Sequence, residues 1–381
     1  MENRKTGATA TGTARYAARF AGRAAEGHFR AVESAGGLAV SSIGIGTYLG
    51  EIDERTDRGY TEAVIAAVRC GVNLIDTAIN YRCQRSERSI GAALKQLVAG
   101  GAARDELVIC TKAGYLTTDG ETPRSREEYR DYFQREYFAR GVMKQEDIAA
   151  GCHCMTPRYL ENQIERSLRN LGVECLDVFC LHNPETQLSE VSREEFHARL
   201  RVAFDFLEQQ AKAGRIQYYG MATWNGFRAD ASAQEYLSLA EVVTLAEKAG
   251  GNQHRFRFVQ LPFNLAMSEA LGRPNQKLGE RDVPMVQAAD ALGVTLIASA
   301  SLMQGRLARG LPPVVTQALG LESDHLRAIQ FARSSPGIAT ALVGMSRAEH
   351  VTENLKLVGV APAGQEQFLR LFEQKDQPQN H

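Results

Sequence analysis

The stretch GVNLIDTAINYRCQRSERSIG, residues 71–91, contains the repeating unit from which the fold can be predicted. Its apolar run VNLID (72–76) is typical of a buried strand and ends at an acidic residue, Asp76. A polar loop follows, and from Ser86 to Leu97 the apolar residues recur with the period of a helix. A short strand, a polar loop and a longer helix together indicate one βα unit of a parallel sheet.

The same unit recurs along the chain. We predict core strands at residues 41–47, 72–76, 106–112, 175–182, 216–223, 256–264, 294–301 and 339–346. The helices that we predict between and after these strands cover residues 62–70, 86–97, 157–171, 193–213, 237–249, 283–292, 324–334 and 348–357. Eight strands that are each followed by a helix favour an α/β fold of the (β/α)8 or TIM-barrel type over an open doubly wound sheet.

The segments outside these units define the predicted domain organisation. Residues 28–362 are expected to form the barrel domain, and within it HFRAVESAGGLAVSS (28–42) is expected to form a β-hairpin over the N-terminal end of the barrel. Residues 113–155 form a long insertion after the third strand, which we expect at the active-site mouth. We expect residues 1–27 to form a loosely ordered N-terminal tail and residues 363–381 to form a C-terminal tail.

The composition narrows the classes of partner. The chain has 44 Lys and Arg against 45 Asp and Glu, and this balance argues against a nucleic-acid or anionic-membrane partner. No apolar run reaches the ~18 residues of a membrane-spanning helix, so a small-molecule substrate is the expected partner and the oligomeric state is left open. Seven Cys, mostly within apolar runs, favour buried thiols in a reducing, cytoplasmic compartment.

The triplet Cys152-His153-Cys154 has two interpretations. It could be part of a metal site, or it could be a loop with incidental thiols. One residue between the thiols is a short spacing for zinc, and no second ligand pair lies nearby, so we favour the reading without a metal.

The predicted strands all end in polar residues. In a barrel enzyme the active site lies at these carboxyl ends of the strands. These residues are Thr47, Asp76, Lys112, His182, Thr223, Asn264, Ser301 and Ser346. Contact with solvent would explain the Ser and Thr residues. It explains less well a Lys and a His that each end an otherwise apolar strand, and this favours a functional site.

The motif of residues 71–91, followed by VICTK (108–112) and CLHNPE (180–185), resembles the aldo-keto reductase superfamily over most of residues 28–360. This resemblance implies a catalytic tetrad of Asp76, Tyr81, Lys112 and His182. Tyr81 would act as the general acid or base, and His182 would orient the substrate oxygen. Because an ammonium close to a phenol stabilises phenolate, we expect Lys112, held by Asp76, to lower the pKa of Tyr81 below its usual ~10.

The resemblance also implies a nicotinamide dinucleotide, held mainly after the seventh and eighth strands. The cofactor-binding residues that it implies are Gly46, Thr47, Tyr48, Thr223, Gln260, Ser299, Leu302, Gly305, Arg306, Gly344, Ser346, His350, Glu353 and Asn354. Tyr48 and Trp224 are expected to shape the substrate pocket.

Three departures from the family pattern concern this cofactor site. The sequence has Gly220-Met221-Ala222-Thr223 where the family commonly has Gly-Val-Ser-Asn, and Ser299 replaces an aromatic residue that often stacks on the nicotinamide. The basic residues near the adenosine phosphate are reduced to Arg347 and His350, with Arg306 nearby. A 2′-phosphate prefers arginine contacts, so the partial absence of basic residues leaves NADP only modestly ahead of NAD as the expected cofactor.

We therefore expect an NAD(P)-dependent oxidoreductase that transfers a hydride between nicotinamide and a small carbonyl, alcohol or sugar-like substrate. Two alternatives stay open. One is a cofactor-binding regulatory or redox-sensing subunit, and the other is a non-redox lyase or isomerase that uses bound NAD transiently.

Overall fold

Strands and helices alternate along the chain as the sequence pattern predicts, in a computed structural model that describes residues 7–372. The strands are β1 (Phe29–Val32), β2 (Leu38–Ser41), β3 (Ile43–Gly46), β4 (Leu74–Asp76), β5 (Val108–Ala113), β6 (Leu176–His182), β7 (Ile216–Ala222), β8 (Phe256–Pro262), β9 (Gln276–Leu278), β10 (Arg281–Val283), β11 (Thr295–Ser299) and β12 (Ile338–Gly344). The α-helices are α1 (Ala10–Ala18), α2 (Glu54–Arg69), α3 (Arg85–Ala99), α4 (Arg126–Phe133), α5 (Pro157–Leu171), α6 (Arg193–Lys212), α7 (Leu239–Gly250), α8 (Glu269–Gly272), α9 (Met285–Ala291), α10 (Pro313–Leu319), α11 (Asp324–Ser334), α12 (Ala348–Asn354) and α13 (Gln365–Leu369).

Eight of these strands close into a barrel in the order β11-β12-β3-β4-β5-β6-β7-β8. Every neighbouring pair in the barrel is parallel, so all eight carboxyl ends lie on one rim. The predicted (β/α)8 barrel is confirmed. The rim that collects the strand ends is where side chains distant in sequence meet.

The predicted hairpin closes the opposite end of the barrel. Strands β1 and β2 pair antiparallel, with Phe29 opposite Ser41 and Val32 opposite Leu38. Val32, Leu38 and Val40 are buried in one apolar cluster with side chains from the barrel strands, among them Leu74 of β4. The hairpin thereby covers the end of the barrel interior that lies opposite the rim of strand carboxyl ends.

Residues 7–27 differ from the loosely ordered tail that we expected. Helix α1 lies beside β2, and its Tyr16 is only 2% exposed and donates a hydrogen bond to the carbonyl of Val72 at 3.0 Å. Arg15 pairs with Asp105 and Glu106. The expectation of a loose tail is wrong for residues 7–27, because they include an amphipathic helix that packs against the surface of the barrel. Residues 1–6 of the predicted tail lie outside the described residues.

The C-terminal tail also contains ordered structure. Helix α13 lies within the predicted tail, and its Phe368 is 4% exposed and stacks on Phe331 of α11 at a ring-centroid distance of 5.3 Å. Residues 373–381 lie outside the described residues.

The buried aromatic side chains of the insertion after β5 belong to the main apolar core of the protein. Helix α4 continues into a π-helical turn at Gln134–Phe138, in which Tyr137 is fully buried and stacks on Phe133 at 5.1 Å. The Tyr137 hydroxyl donates to the carbonyl of Thr117 at 2.9 Å, and this bond ties the turn to the start of the insertion. The segment therefore packs onto the barrel domain at α5, where the Tyr137 ring lies 6.0 Å from that of Tyr159.

Some elements were not anticipated in detail. Helix α2 begins at Glu54 rather than near residue 62 because Asp53 caps it, accepting from the Thr56 amide at 2.7 Å. The short antiparallel pair β9–β10 was not predicted, since its residues are mostly polar and carry no clear alternation.

Candidate active site

A buried ion pair lies on the functional rim, where β4 and β5 end side by side. Lys112 Nζ donates to Asp76 Oδ1 and Oδ2, each at 2.8 Å, and to the Thr77 carbonyl at 2.6 Å. Lys112 is 1% exposed and Asp76 is 3% exposed. All three ammonium hydrogens therefore have acceptors within reach, and the amine cannot swing away from the site.

Tyr81 reaches this pair from the loop after β4. Its ring centroid lies 5.1 Å from Lys112 Nζ and 5.7 Å from the ring of His182, which is the last residue of β6. The Tyr81 amide donates to the carbonyl of Ala78, and the next three residues, 82–84, take left-handed backbone conformations that turn the chain into α3. The structure thus brings together all four residues of the predicted tetrad.

The protonation of Tyr81 differs from our expectation. Burial raises the pKa of the phenol above its ordinary value, and the positive charge of Lys112, which acts in the opposite direction, offsets only part of this effect. Asp76 weakens the influence of Lys112, because its carboxylate itself disfavours a phenolate. The phenol is therefore neutral and able to donate a proton.

The two partners of the ion pair are affected differently. Burial raises the pKa of the Asp76 carboxyl, although the charge of Lys112 acts against this effect, whereas the Lys112 ammonium stays charged. Burial disfavours the ammonium, but the carboxylate of Asp76 outweighs this penalty and raises the pKa of Lys112 above its ordinary value. A positive charge that persists at every physiological pH is what a transient phenolate at Tyr81 requires.

His182 is neutral in this environment. Burial lowers the pKa of its imidazole well below the ordinary value, and the charge of Lys112 lowers it further. Its Nδ1 lies 3.1 Å from Oδ1 of Asn80, a residue of the Tyr81 loop that the sequence reasoning missed. An Asn side chain offers both an acceptor and a donor, so Asn80 can serve either neutral tautomer.

Two buried hydroxyls on the other half of the rim lack protein partners. Thr223 Oγ1, after β7, and Ser301 Oγ, after β11, have no hydrogen-bond partner within residues 7–372, although the two residues are only 4% and 1% exposed. Gln260 of β8 is 6% exposed, is linked to Thr223 by a backbone hydrogen bond, and reaches Asp76 with its amide. Buried polar atoms are normally paired, so these groups fit a polar ligand such as the carboxamide of a nicotinamide.

Gly46, Thr47 and Tyr48, the predicted cofactor contacts at the first strand end, differ in their surroundings. The hydroxyl of Thr47 is buried and donates to the Asp76 carbonyl at 3.2 Å, while Gly46 ends β3. Tyr48 is 57% exposed and its ring meets that of Tyr81 at 4.9 Å. Among these residues, Tyr48 is the one whose ring contacts that of Tyr81.

The loops after β11 and β12 carry the remaining predicted cofactor residues. After Ser299, residues 300 and 303–305 all have positive φ, which produces a tightly turned loop with Leu302 half-buried and Gly305 and Arg306 exposed. After β12, Gly344 and His350 are exposed and Ser346 is half-buried.

Glu353 and Asn354, which we predicted as a pair of cofactor contacts, differ in their exposure. Glu353 is exposed and forms an ion pair with Lys356 at 2.8 Å, whereas Asn354 is 6% exposed. The two residues therefore do not present their side chains on one surface.

A cavity of about 260 Å³ adjoins His182. Tyr115, whose ring lies 5.2 Å from that of His182, lines it together with Asn183, Gln234 and Trp224. Trp224 is 46% exposed, as suits a residue at a pocket mouth. The predicted pocket residues Tyr48 and Trp224 are thus both exposed, and Trp224 lines the cavity.

Glu185 shapes this cavity and was not singled out as functional in the sequence. It is 5% exposed, and its Oε1 accepts from the amides of Trp224, Asn225 and Gly226 at 2.7, 3.2 and 3.3 Å. Burial raises the pKa of this carboxyl. A clue was present in CLHNPE, where an acidic residue follows the strand end closely.

The profile of the Aldo/keto reductase family matches residues 42–311, which include all four tetrad positions. The chain belongs to the aldo/keto reductase family of oxidoreductases.

Two curated relatives are oxidoreductases by name. The chain is 22% identical over 338 residues to the uncharacterized oxidoreductase YqkF of Bacillus subtilis, an alignment that covers 88% of this chain and 92% of the relative. It is 25% identical over 153 residues to the NADH-specific methylglyoxal reductase of Escherichia coli. That alignment spans 38% of this chain and 39% of the relative.

Solved aldo/keto reductases share the fold. The holo form of AKR11C1 from Bacillus halodurans superposes with a TM-score of 0.60 and 19% identity, covering 90% of this chain and 95% of the other. An aldo/keto reductase from Klebsiella pneumoniae, in complex with NADP and acetate, gives a TM-score of 0.59 and 19% identity, with 90% and 93% covered. At these identities the likeness supports the barrel fold alone.

In this aldo/keto reductase the triplet 152–154 is not arranged as a metal site. Both ring nitrogens of His153 are hydrogen-bonded within the protein, and Cys154 is fully buried. Residues 7–372 hold no group of three or more His, Cys, Asp or Glu side chains suited to a metal ion. In the same range, no helix is long and apolar enough to cross a membrane.

Proposed function

We propose that this aldo/keto reductase reduces a small carbonyl compound at the expense of NADPH or NADH. The observation that carries the proposal is the arrangement of Tyr81 over the buried Lys112–Asp76 pair with His182 beside it, on neighbouring strand ends. A neutral phenol can protonate a carbonyl oxygen, a fixed positive charge can stabilise the phenolate that results, and a neutral imidazole can orient the oxygen.

The chemistry of each residue follows from its surroundings. The Tyr81 hydroxyl donates its proton to the carbonyl oxygen as that oxygen becomes an alcohol. The phenolate left behind faces the Lys112 ammonium, which Asp76 and the Thr77 carbonyl hold in place. His182, held at Nδ1 by Asn80, orients the substrate oxygen towards Tyr81.

The nicotinamide cofactor, when bound, supplies the hydride that reduces the carbonyl carbon. Thr223, Ser301 and Gln260 would hold its carboxamide, because they present unpaired or adjustable polar groups on the rim. The exposed side chains of Arg306, Arg347 and His350 would contact the adenosine phosphate. Solved relatives are complexes with NADP and NADPH, and one curated relative is NADH-specific, which supports NADP with NAD also accepted.

The substrate would extend into the cavity beside His182. The charged side chains among its lining residues are the carboxylates of Glu185 and Glu235, and Tyr115 and Trp224 supply aromatic surface. This lining favours a neutral, hydroxylated aldehyde or ketone and disfavours substrates with a carboxylate or phosphate.

The test is turnover by the purified full chain. Loss of reduced-nicotinamide absorbance is measured with NADPH or NADH against a panel of small aldehydes, ketones and sugars, with Tyr81→Phe as the control. We expect turnover that Tyr81→Phe abolishes while cofactor affinity stays nearly unchanged. Tight cofactor binding without oxidation across the panel would contradict the proposal and favour a regulatory role. Product formation without a change in cofactor absorbance would instead favour a lyase or isomerase.

A further inference from the structure

His153, near the end of the insertion, lies directly behind His182. Its side chain is fully buried, and its Nε2 lies 2.9 Å from the backbone carbonyl oxygen of His182. Its Nδ1 lies 3.0 Å from Nε2 of Gln187. The ring of Tyr115 meets the rings of His153 and His182 edge-on, at 5.6 and 5.2 Å.

The hydrogen bonds determine which nitrogen of His153 carries the proton. Arg199 donates to Gln187 Oε1 at 3.1 Å, so the opposite end of that amide, Nε2, is the end that faces His153. An amide nitrogen donates, so Nδ1 of His153 must accept and carries no proton. The neutral ring therefore holds its proton on Nε2 and donates it to the His182 carbonyl. Burial, which lowers the pKa of His153 to about 4, is consistent with a neutral ring.

The backbone of His153 is held as firmly as its ring. Its amide donates to the Ala149 carbonyl at 2.9 Å and its carbonyl accepts from the Ala149 amide at 2.8 Å, while the Cys154 amide donates to the Gly114 carbonyl at 2.9 Å. A Cβ at Gly114 would lie 2.5 Å from His153 Nε2 and 2.8 Å from the His182 oxygen. The missing side chain at Gly114 is thus what allows these groups to approach.

The carbonyl of His182 needs such a partner. Strand β6 ends at His182, and Asn183 turns the chain with a φ of 48°. A buried carbonyl at the end of a strand is costly unless a donor reaches it. The ring of the same residue is contacted from the other side by Asn80.

We propose that His153 is a positioning residue for catalysis: it holds the backbone of His182 and so sets the direction in which the His182 imidazole faces the substrate oxygen. The insertion then contributes to the positioning of His182 through a series of hydrogen bonds that connects Arg199, Gln187, His153 and His182. This inference rests on the proposed role of His182 in carbonyl reduction.

The first test compares two replacements of His153. His153→Gln retains a side-chain N–H that can reach the His182 carbonyl, whereas His153→Phe fills the space without a donor. We expect His153→Phe to lower kcat by on the order of 10- to 100-fold, because a small misplacement of a catalytic group has such effects. The dissociation constant for NADPH should not change, and His153→Gln should recover most of kcat. A folded His153→Phe variant with the kcat of the original protein would overturn the proposal.

The second test uses pH and remains informative if His153→Phe does not fold. In Gln187→Glu, a carboxylate faces Nδ1 and requires a proton there, so a neutral His153 would point a lone pair at the His182 carbonyl. A second proton on His153 restores the contact, so kcat of this variant should fall as pH rises through the raised pKa of His153. The charged groups around this series are Arg199, Glu195, which pairs with Arg199 at 2.8 Å, and Glu190, which accepts from the Ala150 amide at 2.6 Å. Lys112 lies beyond His182.

Gln187→Met is the matched control and should be impaired without that titration. A Gln187→Glu profile parallel to that of the original protein would overturn the proposal, since a purely structural role predicts no new titration.

A third measurement separates this inference from the proposed function. If the original protein shows no turnover, the proposed function fails, and the nitrogen NMR shifts of the His182 ring decide the positioning role. They should differ between His153→Phe and the original protein and return towards the original values in His153→Gln. Identical His182 shifts in all three proteins would contradict the inference.

Discussion

Lys112 donates to both carboxylate oxygens of Asp76, each at 2.8 Å, where both side chains are almost completely excluded from solvent. Such a pair is costly to assemble and more costly to break, because removal of one partner leaves an uncompensated buried charge. The same pair provides the positive charge beside Tyr81. Stability and the proposed catalysis would therefore both depend on one contact, and mutation can separate them.

Lys112→Met should lower the free energy of unfolding by about 3–5 kcal/mol and abolish carbonyl reduction. The double variant Lys112→Met/Asp76→Leu, which removes both charges, should recover most of the stability and none of the activity. Denaturant unfolding and NADPH oxidation measure the two quantities. Equal stability of the single and the double variant would show that the Asp76 charge is not buried as described.

The pH dependence of the two reaction directions should differ. Because burial keeps the pKa of Tyr81 above its ordinary value, the phenol stays protonated through neutral pH and can act as an acid. Reduction should therefore be nearly independent of pH across the neutral range. Alcohol oxidation, which needs the phenolate, should rise with pH up to the alkaline limit of the measurement. Oxidation rates that level off near neutral pH would show that Lys112 lowers the phenol pKa after all.

The unpaired hydroxyls on the rim should contribute to cofactor affinity rather than to stability. Thr223→Val and Ser301→Ala remove groups without protein partners, so their melting temperatures should change little. Each should raise the dissociation constant for NADPH by roughly 2- to 10-fold, which corresponds to the loss of one hydrogen bond of about 0.5–1.5 kcal/mol.

Thr340→Val is the control for these variants. Thr340 is also buried with an unpartnered hydroxyl within residues 7–372, but it lies inside β12 and away from the rim. It should leave the dissociation constant unchanged. An equal weakening in all three variants would point to a general effect on the barrel.

The carboxylates of the cavity should select against acidic substrates. Glu235→Gln removes one negative charge without disturbing the amides that Glu185 holds. KM for an aldehyde with a terminal carboxylate should fall by roughly 2- to 5-fold, the effect of a partly solvated charge, while KM for a neutral hydroxylated aldehyde stays the same. Glu247→Gln, on α7 and outside the cavity lining, is the control. An equal fall in KM for the neutral aldehyde would show that the substrate does not bind in this cavity.

The sequence by itself determined the barrel and the position of the proposed acid–base residues. Each βα unit carries its own hydrophobic period and its own turn residues, so strands such as residues 216–223 were found within a residue or two of the observed β7. Asp76, Lys112 and His182 end their strands, and parallel strands in a closed barrel bring their ends to one rim. Local pattern and topology together were sufficient for these features.

The tertiary structure alone decided the remaining features. Three features belong here: the docking of α1, the contact between Asn80 and His182, and the position of His153 behind His182. The contacts that define them join residues between 29 and 102 positions apart. The docking of α1 also depends on a surface that forms only on folding. The direction of the Tyr81 pKa likewise depends on a balance between burial and the charge of Lys112. Desolvation and long-range contacts arise from the arrangement of the whole chain, and for that reason no local pattern contains them.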